Sequence, residues 1–441
     1  MKTAILGAGA SGLALARTLI ERGFPRADLQ LFEAGPEPGG LCRSKTIDGF
    51  TYDVAGGHIL FSKDAGVMQW MKDCAGGDDA FVRRDRNTKI RFGDRFVHYP
   101  FENGLSDLPP EVNFDCVRGY VEAWHRRQLV GSSAPDDFRS WVLWRFGDGI
   151  AKHFMDPYNE KIWKRPLDQI SSGWVAGRVP DAPIADVLKA SVGIRTEGYR
   201  HQAIFYYPKQ GGFQAITDGI GATVSDRVRL NTPVESIVRH GEGWRVNGED
   251  FDRVVNTIPM NELPNVVEGV PEDVAEAMRG LAHNSMTCFL LALQRPEHPD
   301  LSWVYLPHPE QGPANRLTYM SNYSPGNAPE GRTSFLCEVT SPGGAPLPGE
   351  GCLEDVIGGL VHAGLLKRDE ILFSDRTSTR YAYIVFDHEL EERRRISIEW
   401  CEAVGIHPLG RFGHYDYFNS DQCVMSARVL ADELLEKAST G

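Results

Sequence analysis

The rhythm of apolar and polar positions changes several times along the chain. Thr3 to Leu6 is a short apolar run that reads as a buried strand. Gly7 to Gly12 is a tight glycine-rich turn, and Leu13 to Arg22 continues with apolar residues at helical spacing. Leu29 to Phe32 is a second strand, so the chain opens with a strand–helix–strand unit. From about Leu105 to Leu188, Trp, Leu, Tyr and Phe recur at helical spacing among charges, as in Val117 to Trp124 and Phe138 to Phe146. That texture predicts a mostly helical insert. Strand-like runs return at Val228–Leu230, Ser236–Val238, Gly243–Val246 and Arg253–Thr257. A second strand-rich stretch runs from about Thr287 to Val339, followed by the Pro- and Gly-rich loop Ser341 to Gly351. A last helix, Val424 to Ala438, carries apolar residues at 424, 425, 429, 430, 434 and 435.

The expected fold is α/β. A Rossmann-type dinucleotide-binding domain is discontinuous over 1–104, 201–260 and 385–441. It is interrupted by the helical insert, 105–200, and by a second, mostly antiparallel β-sheet domain for substrate, 261–384. A length of 441 residues suits two or three such domains. The net charge of −13 argues against a general nucleic-acid or anionic-membrane binder, so an anionic substrate needs local arginines. The eight cysteines include no Cys-x-x-Cys pair and read as free thiols in a reducing compartment, with no metal site. No apolar run approaches the ~18 residues of a membrane span, and the expected location is cytoplasmic.

Gly7-x-Gly9-x-x-Gly12 stands between a strand and a helix. The first glycine permits the turn, the second lets backbone approach a pyrophosphate, and the third lets helix pack on strand; Ser11 sits between them. The helix N-terminus then faces the phosphates with its partial positive charge. Glu33 ends the second strand, where a carboxylate accepts the ribose hydroxyls. Nicotinamide cofactors share this fingerprint, but its sequel separates them. Gly39-Gly40-Leu41-Cys42-Arg43 resembles the second signature of flavoproteins of the amine-oxidase and UDP-galactopyranose mutase superfamily, which includes protoporphyrinogen oxidases. The resemblance implies FAD, held by a second close approach of backbone with Arg43 nearby.

Further segments narrow the resemblance to the UDP-galactopyranose mutases, particularly their eukaryotic-type branch. Gly56-Gly57-His58 is similar to that family's loop beside the flavin, and Tyr99-Pro100-Phe101 to its Tyr-Pro-Phe segment. Asp156-Pro157-Tyr158-Asn159 with Trp163, then Trp174 to Val179 and Tyr207 to Gly212, follow in the family's order. So do Trp303-Val304-Tyr305, Arg316 to Pro325, Tyr383, Gly410 to Gly413, and Tyr417. Asp421-Gln422 opens the last helix at the family's flavin-contacting position.

The family implies an isomerase that interconverts the pyranose and furanose rings of a sugar nucleotide through a sugar–flavin N5 adduct. The flavin must be reduced, by NAD(P)H or another donor, yet no net redox occurs. By the same resemblance Arg316 and Arg411 grip the leaving diphosphate as planar forks. Tyr305, Tyr383 and Tyr417 meet it with their hydroxyls, and Tyr99 and Trp303 line the nucleobase side. His58 contacts the cofactor, and Asp156, Tyr158, Asn159 and Trp163 stand toward the sugar.

Three departures bear on the sugar end. Asp156 replaces the family's arginine, Glu102 replaces a glutamine, and an expected asparagine near Pro183 is missing. If these residues face the sugar, they disfavour UDP-galactose and anionic sugars. Two other readings stay open: a redox flavoenzyme of the same superfamily, an oxidase or desaturase, and a flavin- or nucleotide-binding protein that has lost catalysis.

Overall fold

Short apolar strands build the first sheet in the computed structural model, which describes residues 1–130, 133–176, 178–179, 183–196 and 203–440. Five parallel strands lie in the order Ile406–Pro408, Arg253–Asn256, Thr3–Leu6, Leu29–Phe32 and Val228–Arg229. Thr3–Leu6 and Arg253–Asn256 are buried at every position, as a sheet covered on both faces requires. Strands separated by more than 200 residues therefore pair directly, and this sheet is assembled from segments far apart in the chain.

The first helix spans Ala10–Glu21, starting earlier than its apolar pattern predicts because Ala10 and Ser11 already turn helically after Gly9. It packs against the last helix, Ser420–Thr440. There the apolar pattern misleads. The buried face is Val424, Ala427, Ala431 and Leu434, one helical stripe of mostly small residues that shares a core with Leu13 and Leu19. Met425 and Val429 are exposed. The small alanines let two helix backbones approach closely.

A second sheet has seven strands, in the order Ile371–Ile384, His283–Leu293, Thr333–Pro342, Arg316–Tyr319, Trp303–Tyr305, Thr88–Phe92 and Arg95–His98. All neighbours are antiparallel except Trp303–Tyr305 and Thr88–Phe92, which run parallel. Thr88–Phe92 and Arg95–His98, which the division at residue 104 places with the first domain, join this second sheet through the pairs Trp303↔Thr88 and Tyr305↔Ile90. The long strand Ile371–Ile384 alternates small, polar and charged residues and gives little apolar signal, so the strand-rich stretch ending near Val339 stops short of it.

The helical layer comprises Pro110–Val130, Phe138–Ile150, a π-turn at Ala151–Met155, Asp156–Trp163 and Ile184–Ser191. The junction drawn at residues 200 and 201, the residues immediately before Pro183, and Gly177 within the Trp174–Val179 run lie outside the described residues. No helix among the described residues is long and apolar enough to cross a membrane, and all eight cysteines are free thiols.

Candidate functional site

One cavity of about 830 Å³ runs from the glycine turn of the first sheet to the inner face of the second. Its two ends are built differently.

The first end is mostly backbone. Gly7 has φ +97°, which favours glycine, and a Cβ on Gly12 would lie 2.2 Å from the Gly7 carbonyl oxygen. Gly9 and Gly40 face each other so closely that a Cβ on Gly40 would stand 3.1 Å from the Gly9 Cα. The two glycine segments are thus joined edge to edge, with the Gly39 N–H donating to the Ala8 carbonyl at 2.8 Å. Glu33 is fixed by donors on both oxygens, Ala8 N–H at 2.9 Å and Gly35 N–H at 2.8 Å, and still lines the cavity. A carboxylate has about four acceptor sites, so two remain for ligand hydroxyls. The first helix has no acidic residue in its first turn, leaving its N-terminus free for an anion. Ser11, Leu41 and Arg43 complete this end, with Arg43 paired to Glu37 at 3.1 Å. Gly12 itself sits behind the turn.

The second end is built of side chains brought from far apart. Asp53, fully buried, accepts from Ser44 Oγ at 2.8 Å, Tyr207 Oη at 2.8 Å, Phe213 N–H at 3.1 Å and His58 N–H at 3.0 Å. It braces the Gly56-Gly57-His58 loop against the Tyr207–Gly212 loop. The His58 ring stacks on Phe213 at 5.1 Å, and its Nδ1 is buried without a hydrogen-bond partner. Burial pushes its pKa down, so the ring is neutral at pH 7 and presents an unsatisfied nitrogen beside the cavity.

Arg316 rises from the strand Arg316–Tyr319 and donates to Glu338 on the neighbouring strand, from Nε at 2.8 Å. Glu338 has no exposed surface and also accepts from the Gly57 N–H at 3.1 Å. The carboxylate thereby fixes both the guanidinium and the glycine loop. Burial alone would depress the charged form of Arg316, but Glu338 keeps it protonated. Arg411 donates to the Phe418 and Ala382 carbonyls at 3.0 and 3.1 Å and lies 4.2 Å over the Tyr417 ring. It has no carboxylate partner among the described residues.

One cation, Arg86, escaped the sequence reading, and a second, Arg178, stood in the Trp174–Val179 segment without an assigned role. The Arg86 guanidinium lies 4.7 Å from both the Tyr99 and the Trp303 rings, with Nε donating to Thr88 at 2.9 Å. Arg178 covers Tyr417 at 5.0 Å. Neither has a carboxylate partner among the described residues. Arg86 lies outside every motif, and only the pairing of Thr88–Phe92 with Trp303–Tyr305 brings it here. The described lining contains the arginines 43, 86, 178, 316 and 411 against a single carboxylate, Glu33. In a chain of net charge −13, that concentration points to a polyanionic ligand.

Gly7, Gly9, Ser11, Glu33, Gly40, Leu41, Arg43, Gly57, His58, Tyr99, Trp303, Tyr305, Arg316, Tyr383, Arg411 and Tyr417 all line this one cavity. Asp156, Tyr158, Asn159, Trp163, Asp421 and Gln422 do not. Tyr158 stands behind Tyr305, ring to ring at 5.0 Å, and Trp163 behind Tyr383 at 6.4 Å. Asn159 is tied within its helix, donating to the Met155 carbonyl at 2.7 Å and accepting from Trp163 Nε1 at 3.2 Å. Gln422 accepts from the Asn419 N–H at 3.0 Å. Asp156 turns to Arg139 at 3.0 Å, which removes the reason to expect it at a sugar. Glu102 is buried and does not line the cavity either.

Comparison with known proteins agrees with this geometry. The family described as flavin containing amine oxidoreductase matches residues 10–356. A crystal structure of reduced UDP-galactopyranose mutase superposes with a TM-score of 0.91 at 27% identity, covering 99% of this chain and 94% of that one. A putative protoporphyrinogen oxidase from Exiguobacterium sp. 255-15, at 18% identity and TM-score 0.75 over 98% of each chain, shares the fold. A zeta-carotene-forming phytoene desaturase of Myxococcus xanthus is 43% identical over 96 residues. That match spans 21% of this chain and only 17% of the desaturase. FAD is the cofactor that this site fits: two glycine segments in contact, a fixed ribose-side carboxylate and an open helix N-terminus form one continuous cradle.

Proposed function

This chain belongs to the flavin containing amine oxidoreductase family, and from that premise we propose that it is a flavin-dependent sugar-nucleotide mutase, interconverting pyranose and furanose forms of a nucleoside-diphosphate sugar. The observation that carries the reading is the cluster of arginines facing the flavin loop, in a chain alike over nearly its whole length to UDP-galactopyranose mutase. Reduced FAD supplies a nucleophilic ring nitrogen and is not consumed.

The chain's own residues hold, orient and neutralise. Arg411 and Arg316 stand ready for the negative charge that a leaving diphosphate gains, and each is fixed before ligand arrives by protein acceptors. Tyr383 keeps its proton, because burial raises its pKa, and so acts as a donor. Neutral His58 offers a nitrogen to the cofactor without adding positive charge. Arg86 lies over both the Tyr99 and the Trp303 rings, so a base on this side meets its guanidinium.

The test is anaerobic. Chemically reduced protein is incubated with several nucleoside-diphosphate sugars and the products are separated by chromatography. Ring isomers formed without consumption of reductant are expected. Product that tracks an electron acceptor or oxygen one-for-one rejects the mutase in favour of an oxidase or desaturase. That second reading draws on the desaturase match, but a polyene gives no use to uncompensated guanidiniums.

A further inference from the structure

A row of aromatic rings in contact runs from the cavity into the helical layer. Five of the nine tryptophans, Trp124, Trp141, Trp144, Trp163 and Trp174, fall between residues 105 and 200. Tyr383 and Trp174 line the cavity. Trp163 is buried behind both, its ring centroid 6.4 Å from Tyr383 and 5.3 Å from Trp174. From Trp174 the contacts lead outward, to Phe138 at 5.2 Å and from Phe138 to Trp141 at 6.0 Å. Trp141 stands in the first turn of helix Phe138–Ile150 and keeps 9% of its surface exposed. The row thus joins the site that FAD fits to the solvent edge of the helical layer.

Packing alone does not ask for indoles here. Phe or Leu fills such volume without burying a polar N–H, and a buried donor left unpaired is costly. Trp163 Nε1 donates to Asn159 Oδ1 at 3.2 Å, but Trp174 Nε1 is buried with no acceptor among the described residues. What indole offers and Phe does not is an electron that is readily given up. Oxidised flavin absorbs blue light, and its excited state is a strong one-electron oxidant. An indole in reach of it is a donor, and a second indole beyond the first refills it.

We propose that Trp174, Trp163 and Trp141 form an electron-hopping route through which oxidised FAD is reduced under light by a donor in solution. The excited flavin takes one electron from Trp174. The vacancy is shared with Trp163 and filled from Trp141 across the Phe138 contact. A donor in solution, an enediol such as ascorbate, then refills Trp141. Two such passes reduce the flavin fully. Ascorbate ends as dehydroascorbate, and the proton it releases to water balances the one that the flavin takes up. The vacancy carries positive charge, so the cavity arginines repel it and water solvates it at Trp141; both effects move it outward. The route supplies the reduced form that the mutase reading needs, yet it rests on bound FAD alone.

The experiment uses the full FAD-loaded chain, freed of unbound flavin, under anaerobic blue light with ascorbate, and follows the loss of oxidised-flavin absorbance. Absorbance is read rather than turnover, so failure here and failure of the mutase reading are told apart: product analysis decides one and bleaching the other. The wild type is expected to bleach in the light and not in the dark. Trp141→Phe, outside the cavity lining, is expected to keep its flavin content and melting temperature and to lose most of the bleaching. Trp174→Phe is expected to lose it as well. Trp141→Tyr retains a ring that gives up an electron and is expected to bleach close to the wild-type rate, a difference from Phe that a packing role does not produce. A wild type that stays oxidised in the light, or bleaches equally in the dark, overturns the proposal. So does a Trp141→Phe variant that bleaches as fast as the wild type, because ascorbate then reaches the flavin directly, or a Trp141→Tyr variant as slow as Trp141→Phe.

Discussion

The two ends of the cavity use different materials. The dinucleotide end is made of backbone: glycines that permit approach, an open helix N-terminus, and a glutamate fixed by neighbouring N–H groups. The other end is made of side chains whose charge is set by partners on other elements, as Arg316 is by Glu338 on the neighbouring strand. A backbone site tolerates almost any side chain but no added Cβ where chains touch. A side-chain site does not tolerate the loss of one member of a buried pair. Substitutions should therefore separate the two ends cleanly.

The largest effect is expected at the first end. Gly12→Val forces a Cβ onto the Gly7 carbonyl at 2.2 Å, with two further methyl groups behind it. The helix must shift away from the strand, and the cradle opens. Purified protein should lack flavin absorbance while circular dichroism still reports a folded chain. Normal flavin content would mean that the turn is not the pyrophosphate seat.

At the second end, Arg411→Ala and Arg316→Ala should each cost about 2–5 kcal/mol in binding a nucleoside diphosphate, measured by calorimetry, with FAD content intact. They should differ in stability. Arg411 leaves behind only carbonyls, whereas Arg316→Ala strands the buried Glu338 carboxylate, a further loss of about 3–5 kcal/mol. Adding Glu338→Gln to Arg316→Ala should recover much of that stability and none of the affinity. Equal melting temperatures for the two single variants would show that Glu338 is not held as an ion pair with Arg316.

How much was legible beforehand follows the same division. Gly7, Gly9, Gly12 and Glu33 act through spacing along one short segment, and spacing is what a sequence displays. Arg86 acts because Thr88–Phe92 pairs with Trp303–Tyr305 across more than 200 residues, and no local pattern carries that. The same pairing joins strands from before residue 104 to the second sheet. The middle of Ile371–Ile384, Ser374 to Arg380, lacks an apolar signature because this is a half-exposed edge strand. In the last helix half of the buried stripe is alanine, so counting large apolar residues found Val424 and Leu434 but missed Ala427 and Ala431 and added Met425 and Val429, which face solvent. Asp156 was set at the sugar from its place in a motif, but a motif position does not reveal that Arg139, on another helix, takes the carboxylate.

A buried carboxyl outside the cavity gives a smaller, pH-dependent effect. Burial pushes Glu102 up to about 7, while in the unfolded chain it titrates near 4.5. Its folded-state pKa is raised, so the native state holds a proton that the unfolded state releases. The contribution is favourable below pH 4.5 and is lost as pH rises through 7. Glu102→Gln keeps the shape and cannot ionise. It should match the wild type near pH 4 and exceed it by up to about 3 kcal/mol at pH 8, read by denaturant melts at both values. A variant equally stable at both, or weaker at pH 8, removes Glu102 from the account.

The smallest effect on ligand is expected at Asp156, although a motif comparison marks it as the boldest departure. Its carboxylate is largely buried, pairs with Arg139 at 3.0 Å and lies outside the cavity lining. Burial raises its pKa to about 6, against which Arg139 pulls down. The group therefore ties helix Asp156–Trp163 to helix Phe138–Ile150 through Arg139 and contributes nothing direct to sugar choice. Asp156→Asn should leave relative kcat/KM across a panel of nucleotide sugars unchanged, neutral, amino-bearing and uronic alike. It should alter stability modestly, because Arg139 is partly exposed and finds water when its partner is neutralised. A rearranged sugar preference in Asp156→Asn, with stability unchanged, would show that the carboxylate leaves Arg139 and enters the cavity when ligand binds. Reversal of the pair tells the two cases apart: Asp156→Arg with Arg139→Asp rebuilds a structural ion pair and restores stability, but cannot restore a contact that a sugar hydroxyl made to a carboxylate at 156.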